Sequence, residues 1–136
     1  MPSLELSCER YLFYISRSLA TPEQVEQILT LSRDRNQQRG LTGVLLFTGG
    51  HFAQFLEGSA PVLAATMATI EADPRHEAVT RLIESDITQR RFADWTMGFL
   101  ESTGADDLIQ QLLAMPEVPA ERAGRILKLM FESPLR

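Results

Sequence analysis

Two strand-like runs, TGVLLFT at 42–48 and HFAQFLE at 51–57, are separated only by Gly49-Gly50. A diglycine between runs rich in β-branched and aromatic residues is a strong hairpin signal, because glycine adopts the positive φ angles of tight hairpin turns without steric cost. The hairpin limits what the flanking chain can become. Before it, Thr21 is a good helix N-cap, Pro22 takes the first helical position and Gln24 completes a capping box. Val25, Ile28, Leu29 and Ser32 then recur at helical spacing, and the helix should end between Asn36 and Gly40, where glycine accepts a positive φ. After the hairpin, Gly58, Ser59 and Pro61 open a second helix through VLAATMATIEA, which stops before Asp73-Pro74.

Strands complete the pattern on both sides. Residues 10–16 (RYLFYIS) read as a first strand, with Leu12, Tyr14 and Ser16 on one face and Tyr11, Phe13 and Ile15 on the other. Both faces are apolar, as expected of a central strand. A fourth strand is expected over 79–85 and a fifth over 95–101, with a charged loop at 89–94 between them. Two amphipathic helices follow, at 105–115 and 120–131, separated by Pro116 and Pro119. The second carries an apolar stripe of Ile126, Leu127, Met130 and Phe131, with Arg122, Arg125 and Lys128 elsewhere. The order β-α-β-β-α-β-β predicts an α+β, ferredoxin-like sheet with two helices on one face. The C-terminal helices could cover the other face or form an oligomer contact.

Charge and cysteine usage exclude several classes. The 136 residues suit about one domain, and the formal net charge of −5 repels a phosphate backbone, so no nucleic-acid partner is expected. No apolar run approaches the ~20 residues that span a bilayer, and MPSLELSCER lacks the basic start and apolar stretch of a signal peptide. Cys8 is the single cysteine, so no internal disulfide forms and a reducing cytoplasm is the simplest setting. One cysteine and two histidines supply no structural zinc set.

Three polar residues stand out. Gln54 lies mid-strand between Phe52 and Leu56 on a face that otherwise looks buried. A buried amide needs partners for its donors and acceptor, at a cost of ~1–3 kcal/mol per unmet group. The plain reading is a glutamine bonded to neighbouring main chain. Asn36, in DRNQQRG, reads as a helix C-cap or turn residue. Tyr14 reads as a core aromatic whose hydroxyl finds an acceptor.

Their spacing carries more than any of them alone. The stretch Asn36-Gln37-Gln38-Arg39-Gly40-Leu41-Thr42-Gly43-Val44-Leu45-Leu46, the third-strand His51-Phe52-Ala53-Gln54-Phe55-Leu56-Glu57-Gly58, the segment Asp73-Pro74-Arg75-His76 and the run Arg91-Phe92-Ala93-Asp94-Trp95-Thr96-Met97 occur in this order. Together they resemble the signature of the BLUF family of flavin-binding blue-light sensors, over residues 10–101.

The resemblance implies a photoreceptor that is not an enzyme and that holds FAD, or FMN, non-covalently between the two helices. By motif position, Asn36 matches the asparagine that bonds the flavin ring and Gln54 the switching glutamine. Tyr14 matches the tyrosine that bonds this glutamine and donates an electron to the excited flavin. Trp95 and Met97 match a fifth-strand pair that reports the glutamine's state. Ser32, Leu45, Phe52, Arg75 and His76 match pocket-lining positions. Tyr14-Ile15-Ser16 fits the family's Y-x-S, although the connection to Asn36 is slightly shorter than usual. Ser16-Arg17-Ser18-Leu19-Ala20 also resembles the Y-R-S-L-A of some members, which would put Ser16 in the tyrosine's place.

The expected division is a sensor domain at 1–102 and a helical extension at 103–136, acting through an unnamed protein partner or its own homo-oligomer. The alternative is a protein-interaction domain of this type that has lost flavin or light response. An acylphosphatase-like enzyme would need a glycine-rich anion loop after strand one, and SRSLATP has none. An RNA-recognition module would show aromatics among basic residues on its sheet.

Overall fold

The computed structural model describes residues 9–136. Cys8 and the stretch read against a signal peptide therefore lie outside the described residues. The chain runs β1 (Glu9–Ser18), α1 (Pro22–Arg39), β2 (Thr42–Phe47), β3 (His51–Ser59), α2 (Ala60–Glu71), β4 (His76–Ile87), β5 (Gly98–Glu101), a 3₁₀ turn (Thr103–Ala105), α3 (Asp106–Leu113) and α4 (Ala120–Glu132). The strands form one sheet in the order β4-β1-β3-β2-β5. Neighbours are antiparallel except β2 and β5, which run parallel. This is the ferredoxin-like α+β arrangement, extended by β5 on one edge.

Local chemistry sets the first helix as expected. The Thr21 hydroxyl accepts from the Gln24 main-chain N–H, and the Gln24 side chain accepts from the Thr21 N–H. At the other end Gly40 sits at φ 71°, and its N–H returns to the Asn36 carbonyl. The hairpin closes with the Thr48 N–H on the His51 carbonyl at 3.0 Å and Gly49 at φ 101°.

Alternation in β1 and β3 divides the interior into two layers. Phe13, Ile15, Val44, Leu46, Ala53 and Phe55 point to one side, where Ile109 and Leu112 of α3 and Ile126 and Met130 of α4 cover them. Leu45, Phe52 and Leu56 point to the other, against Val25 and Leu29 of α1 and Leu63 of α2. Leu12 and Tyr14 join this second layer through Met67. The C-terminal helices thus pack on the chain's own sheet.

Two boundaries differ from the sequence reading. β4 runs over 76–87 instead of 79–85. It is an edge strand paired only with β1, so its polar ends His76, Glu77 and Asp86 are held by main-chain pairing and carry no apolar pattern. β5 starts at Gly98, not at Trp95. The Trp95 N–H bonds the Phe92 carbonyl at 2.9 Å, which turns the chain before it can extend.

The hairpin is also tied to α3. Asp106, the first residue of α3, accepts from the Thr48 hydroxyl at 2.6 Å, the His51 Nδ1 at 2.8 Å and the Gly50 N–H at 3.1 Å. The Thr48 hydroxyl foremost, then His51, hold the Asp106 carboxyl below the usual carboxylate range. Ile126 is fully buried between α4 and the sheet. Ile126→Ala should therefore lower unfolding stability by about 2–5 kcal/mol, as for a domain core, measured by urea denaturation. A loss near zero would mean that α4 does not contribute to the core.

Candidate functional site

The central strands place Tyr14 directly across from Gln54, and Gln54 across from Leu45. All three face the α1 and α2 side of the sheet, at 3%, 5% and 2% exposure. The Tyr14 hydroxyl donates to Gln54 Oε1. On the far side, Gln54 Nε2 donates to the Met97 thioether at 3.6 Å, a weak bond. Gln54 is thus satisfied by side chains on two other strands or their approaches, and not by main chain as its plain reading supposed. Burial foremost, with the Asp73 carboxylate adding to it, pushes the Tyr14 phenol far above its ordinary range. The phenol therefore keeps its proton at any physiological pH.

A cleft lies between α1 and α2 over these residues. Ile28, Leu31, Leu45, Phe52, Leu56 and Ile70 give it apolar walls, while Gln54, Asn36, Ser32, Arg35, Arg75 and His76 bring polar groups to it. Apolar walls with a few convergent polar groups are the chemistry of a small-molecule site. The apolar walls fit a flat ring system, the amides its polar edge, and the arginines toward the mouth an anionic tail. Asn36 also caps α1 with its carbonyl, and its Nδ2 donates to the Thr96 carbonyl at 2.6 Å.

His76 closes one end. Its Nε2 lies 2.5 Å from the Ile70 carbonyl, which can only accept, so this nitrogen carries a proton. Its Nδ1 meets the Ser16 hydroxyl at 2.9 Å. Ser16 therefore lies beside the histidine and opposite Phe52, while Tyr14 occupies the position against Gln54. Arg75 is locked to Asp73 by paired contacts of 3.0 and 2.7 Å. The Arg75 side-chain bonds are the main reason that the Asp73 carboxyl sits below its usual range.

The structure separates one expected pair. Met97 is buried at 1% exposure beside Gln54. Trp95 is 37% exposed, is not among the residues lining the cleft and, like Met97, lies before β5. The Phe92 turn sends the indole outward, and the thioether is drawn inward by burial and the amide N–H.

Three contributors were missed from the sequence. Glu57, 1% exposed, accepts from the Thr42 hydroxyl at 2.8 Å and from the main-chain N–H groups of Arg91 and Phe92, so it anchors the segment leading to Met97. Arg35 lines the cleft, and its helical spacing from Ile28 and Ser32 could have revealed it. Arg33 holds the Met97 carbonyl at 2.9 Å, and no local pattern announces it.

The family model for BLUF, sensors of blue light using FAD, matches residues 10–98. The chain belongs to the BLUF family. Within it, the chain is 33% identical over 92 residues to the photoactivated adenylate cyclase subunit beta of Euglena gracilis, covering 65% of this chain and 11% of that protein. It is also 33% identical over 90 residues to the blue light- and temperature-regulated antirepressor BluF of Escherichia coli (strain K12), covering 65% of this chain and 22% of that protein. The chain thus spans a small part of these curated relatives. Among solved structures it resembles the BLUF protein BlrB in its dark state, with a TM-score of 0.73 and 36% identity over 90% of this chain and 97% of that one. The fold, the flavin cofactor and the blue-light function of this chain follow from its family. Among the described residues no helix is long and apolar enough to cross a membrane.

Proposed function

We propose that this BLUF chain reads blue light through Tyr14 and Gln54, with Met97 as the first residue to register the change. The observation that carries the reading is the buried chain of contacts from the Tyr14 hydroxyl through the Gln54 amide to the Met97 sulfur; Tyr14 and Gln54 line the cleft, and Met97 is buried beside Gln54. Asn36 and Gln54 would hold the flavin's polar edge, Ser32, Leu45, Phe52 and His76 would line its ring, and Arg75 would lie toward its tail. Bound flavin supplies blue-light absorption and, once excited, a strong pull on an electron from a nearby phenol.

The protein's part is to hold and move a proton. Tyr14 keeps its proton in the dark because burial disfavours the phenolate. Its hydroxyl points at Gln54 Oε1, so a phenol that gave an electron to bound flavin would pass its proton to the amide oxygen, and the proton would return to Tyr14 with the electron. A glutamine can exchange the places of its oxygen and nitrogen by rotation of the amide, with almost no change in volume. In this reading the turn replaces the N–H that faces Met97 by an oxygen. Trp95, on the outer surface beside this segment, takes the changed environment to the solvent side.

Residues 1–102 form the sensor in this reading, and 103–136 an extension whose helices share its core. No reaction is assigned to the chain, and its output is a change in contact with a protein partner or with a second copy of itself. A reducing cytoplasm suits its single cysteine. FAD is preferred to FMN on the family description, and both share the ring on which the site acts.

Three measurements test the proposal. The flavin-loaded chain should show a reversible red shift of its absorption under blue light; an unchanged spectrum would remove the assignment of a working switch. Tyr14→Phe should abolish the shift and leave flavin bound. It leaves Gln54 Oε1 without its donor, at a cost of ~1–3 kcal/mol in stability. A normal photocycle in this variant would reject Tyr14. Gln54→Leu should also lose the normal shift, since leucine has no donor and acceptor to exchange. A light-minus-dark spectrum like that of the unaltered chain would reject the glutamine.

A further inference from the structure

β5 is the outer strand of the sheet on the β2 side, and such an edge leaves main-chain donors and acceptors unpaired. Here the chain covers it with its own residues 134–136. The Phe99 N–H donates to the Arg136 main-chain oxygen, and the Arg136 N–H donates to the Phe99 carbonyl, each at 3.0 Å. Leu135 lies over Gly98 so closely that a Cβ there would come within 2.7 Å of its side chain. The Arg136 guanidinium stacks 4.6 Å from the centre of the Phe99 ring and meets Glu26 of α1 at 2.7 Å. The segment is shaped to the edge that it covers.

Arg33 of α1 joins this strap to the photoactive floor. Its Nε donates to the Met97 carbonyl at 2.9 Å, and its Nη2 to the Arg136 main-chain oxygen at 2.6 Å. The guanidinium is a rigid planar fork, so its two N–H groups move together. Met97 in turn presents its sulfur to Gln54 Nε2. If the Gln54 amide turns as proposed, an oxygen faces the sulfur and the Nε2–sulfur contact is lost, which would free the Met97 segment to shift. Because one guanidinium bridges the Met97 and Arg136 oxygens, a shift of the first would strain its bond to the second.

We propose that Arg33 is a positioning residue that couples Met97 to the strap at 134–136, so that illumination loosens the strap from the β5 edge. The inference rests on the Gln54 switch proposed above. It gives the switch a defined output: the exposure of an edge strand.

Amide hydrogen exchange of the full flavin-loaded chain, in the dark and under steady blue light, tests it. In the unaltered chain the Phe99 and Arg136 amides should exchange about 5-fold or more faster in light, the size of an ordinary coupling between sites. Arg33→Ala should retain the red shift but show the faster exchange already in the dark, so that the light-to-dark ratio falls to about one. A second variant, Leu135→Asp, leaves Arg33 in place and weakens the strap alone. It should retain the red shift and also lose the ratio at Phe99. A red shift in the unaltered chain with equal exchange in light and dark overturns the coupling and leaves the sensor reading standing. So does a normal light-to-dark ratio in Arg33→Ala. An absent red shift overturns both.

Discussion

Almost everything in this molecule is arranged around one amide buried in the middle of a sheet. Gln54 sits on the central strand β3, between β1 and β2, and is only 5% exposed. An unmet polar group there would cost ~1–3 kcal/mol. The register across β1 brings the Tyr14 hydroxyl to its oxygen, and the approach to β5 brings the Met97 sulfur to its nitrogen. The oxygen end has a strong neutral partner and the nitrogen end a weak one. An amide held unequally at its two ends can be turned by a change at the stronger end, and the loss of a phenolic proton is such a change.

The two faces of the sheet serve different purposes. The face toward α1 and α2 contains the cleft and its polar floor. The opposite face has a dense apolar layer with Phe13, Ile15, Phe55, Ile109, Ile126 and Met130. That layer backs the strands on the side away from the cleft. Glu57 and Arg33 flank the segment that leads to Met97. The first pins residues 91 and 92 beneath the sheet, and the second holds the Met97 carbonyl from α1. Between these two anchors lie Trp95 and Met97, one outside and one inside.

The fold was readable where the signals were local. The capping box at Thr21 and Gln24, the glycine at 40, the hairpin at Gly49-Gly50 and the alternation in β1 each act over a few residues, and each was legible without the rest. β4 was underestimated because an edge strand has no apolar pattern to show, and β5 was overestimated because Trp95 and Met97 look like strand residues. Their extended character was overruled by one turn, from the Trp95 N–H to the Phe92 carbonyl. The site was partly legible. Gln54 and Tyr14 could be singled out as polar groups in apolar company, Asn36 as a residue at a helix end, and the order of four motifs gave them a shared context. Glu57 and Arg33 could not, since charged residues are normally solvent-facing and nothing near them in sequence reveals their distant partners.

By itself the sequence determined the order of elements, the central place of β1 and the identity of polar residues that need partners, because these depend on periodicity and local hydrogen bonding. It left open whether Tyr14 or Ser16 would meet Gln54. Only the tertiary structure decided that, through the antiparallel register that sets Tyr14 opposite Gln54 and leaves Ser16 to His76. The same holds for Met97 inside, Trp95 outside and the strap on β5. These are contacts between residues far apart in the chain, and their energies depend on where the sheet and helices bring them, which no local pattern encodes.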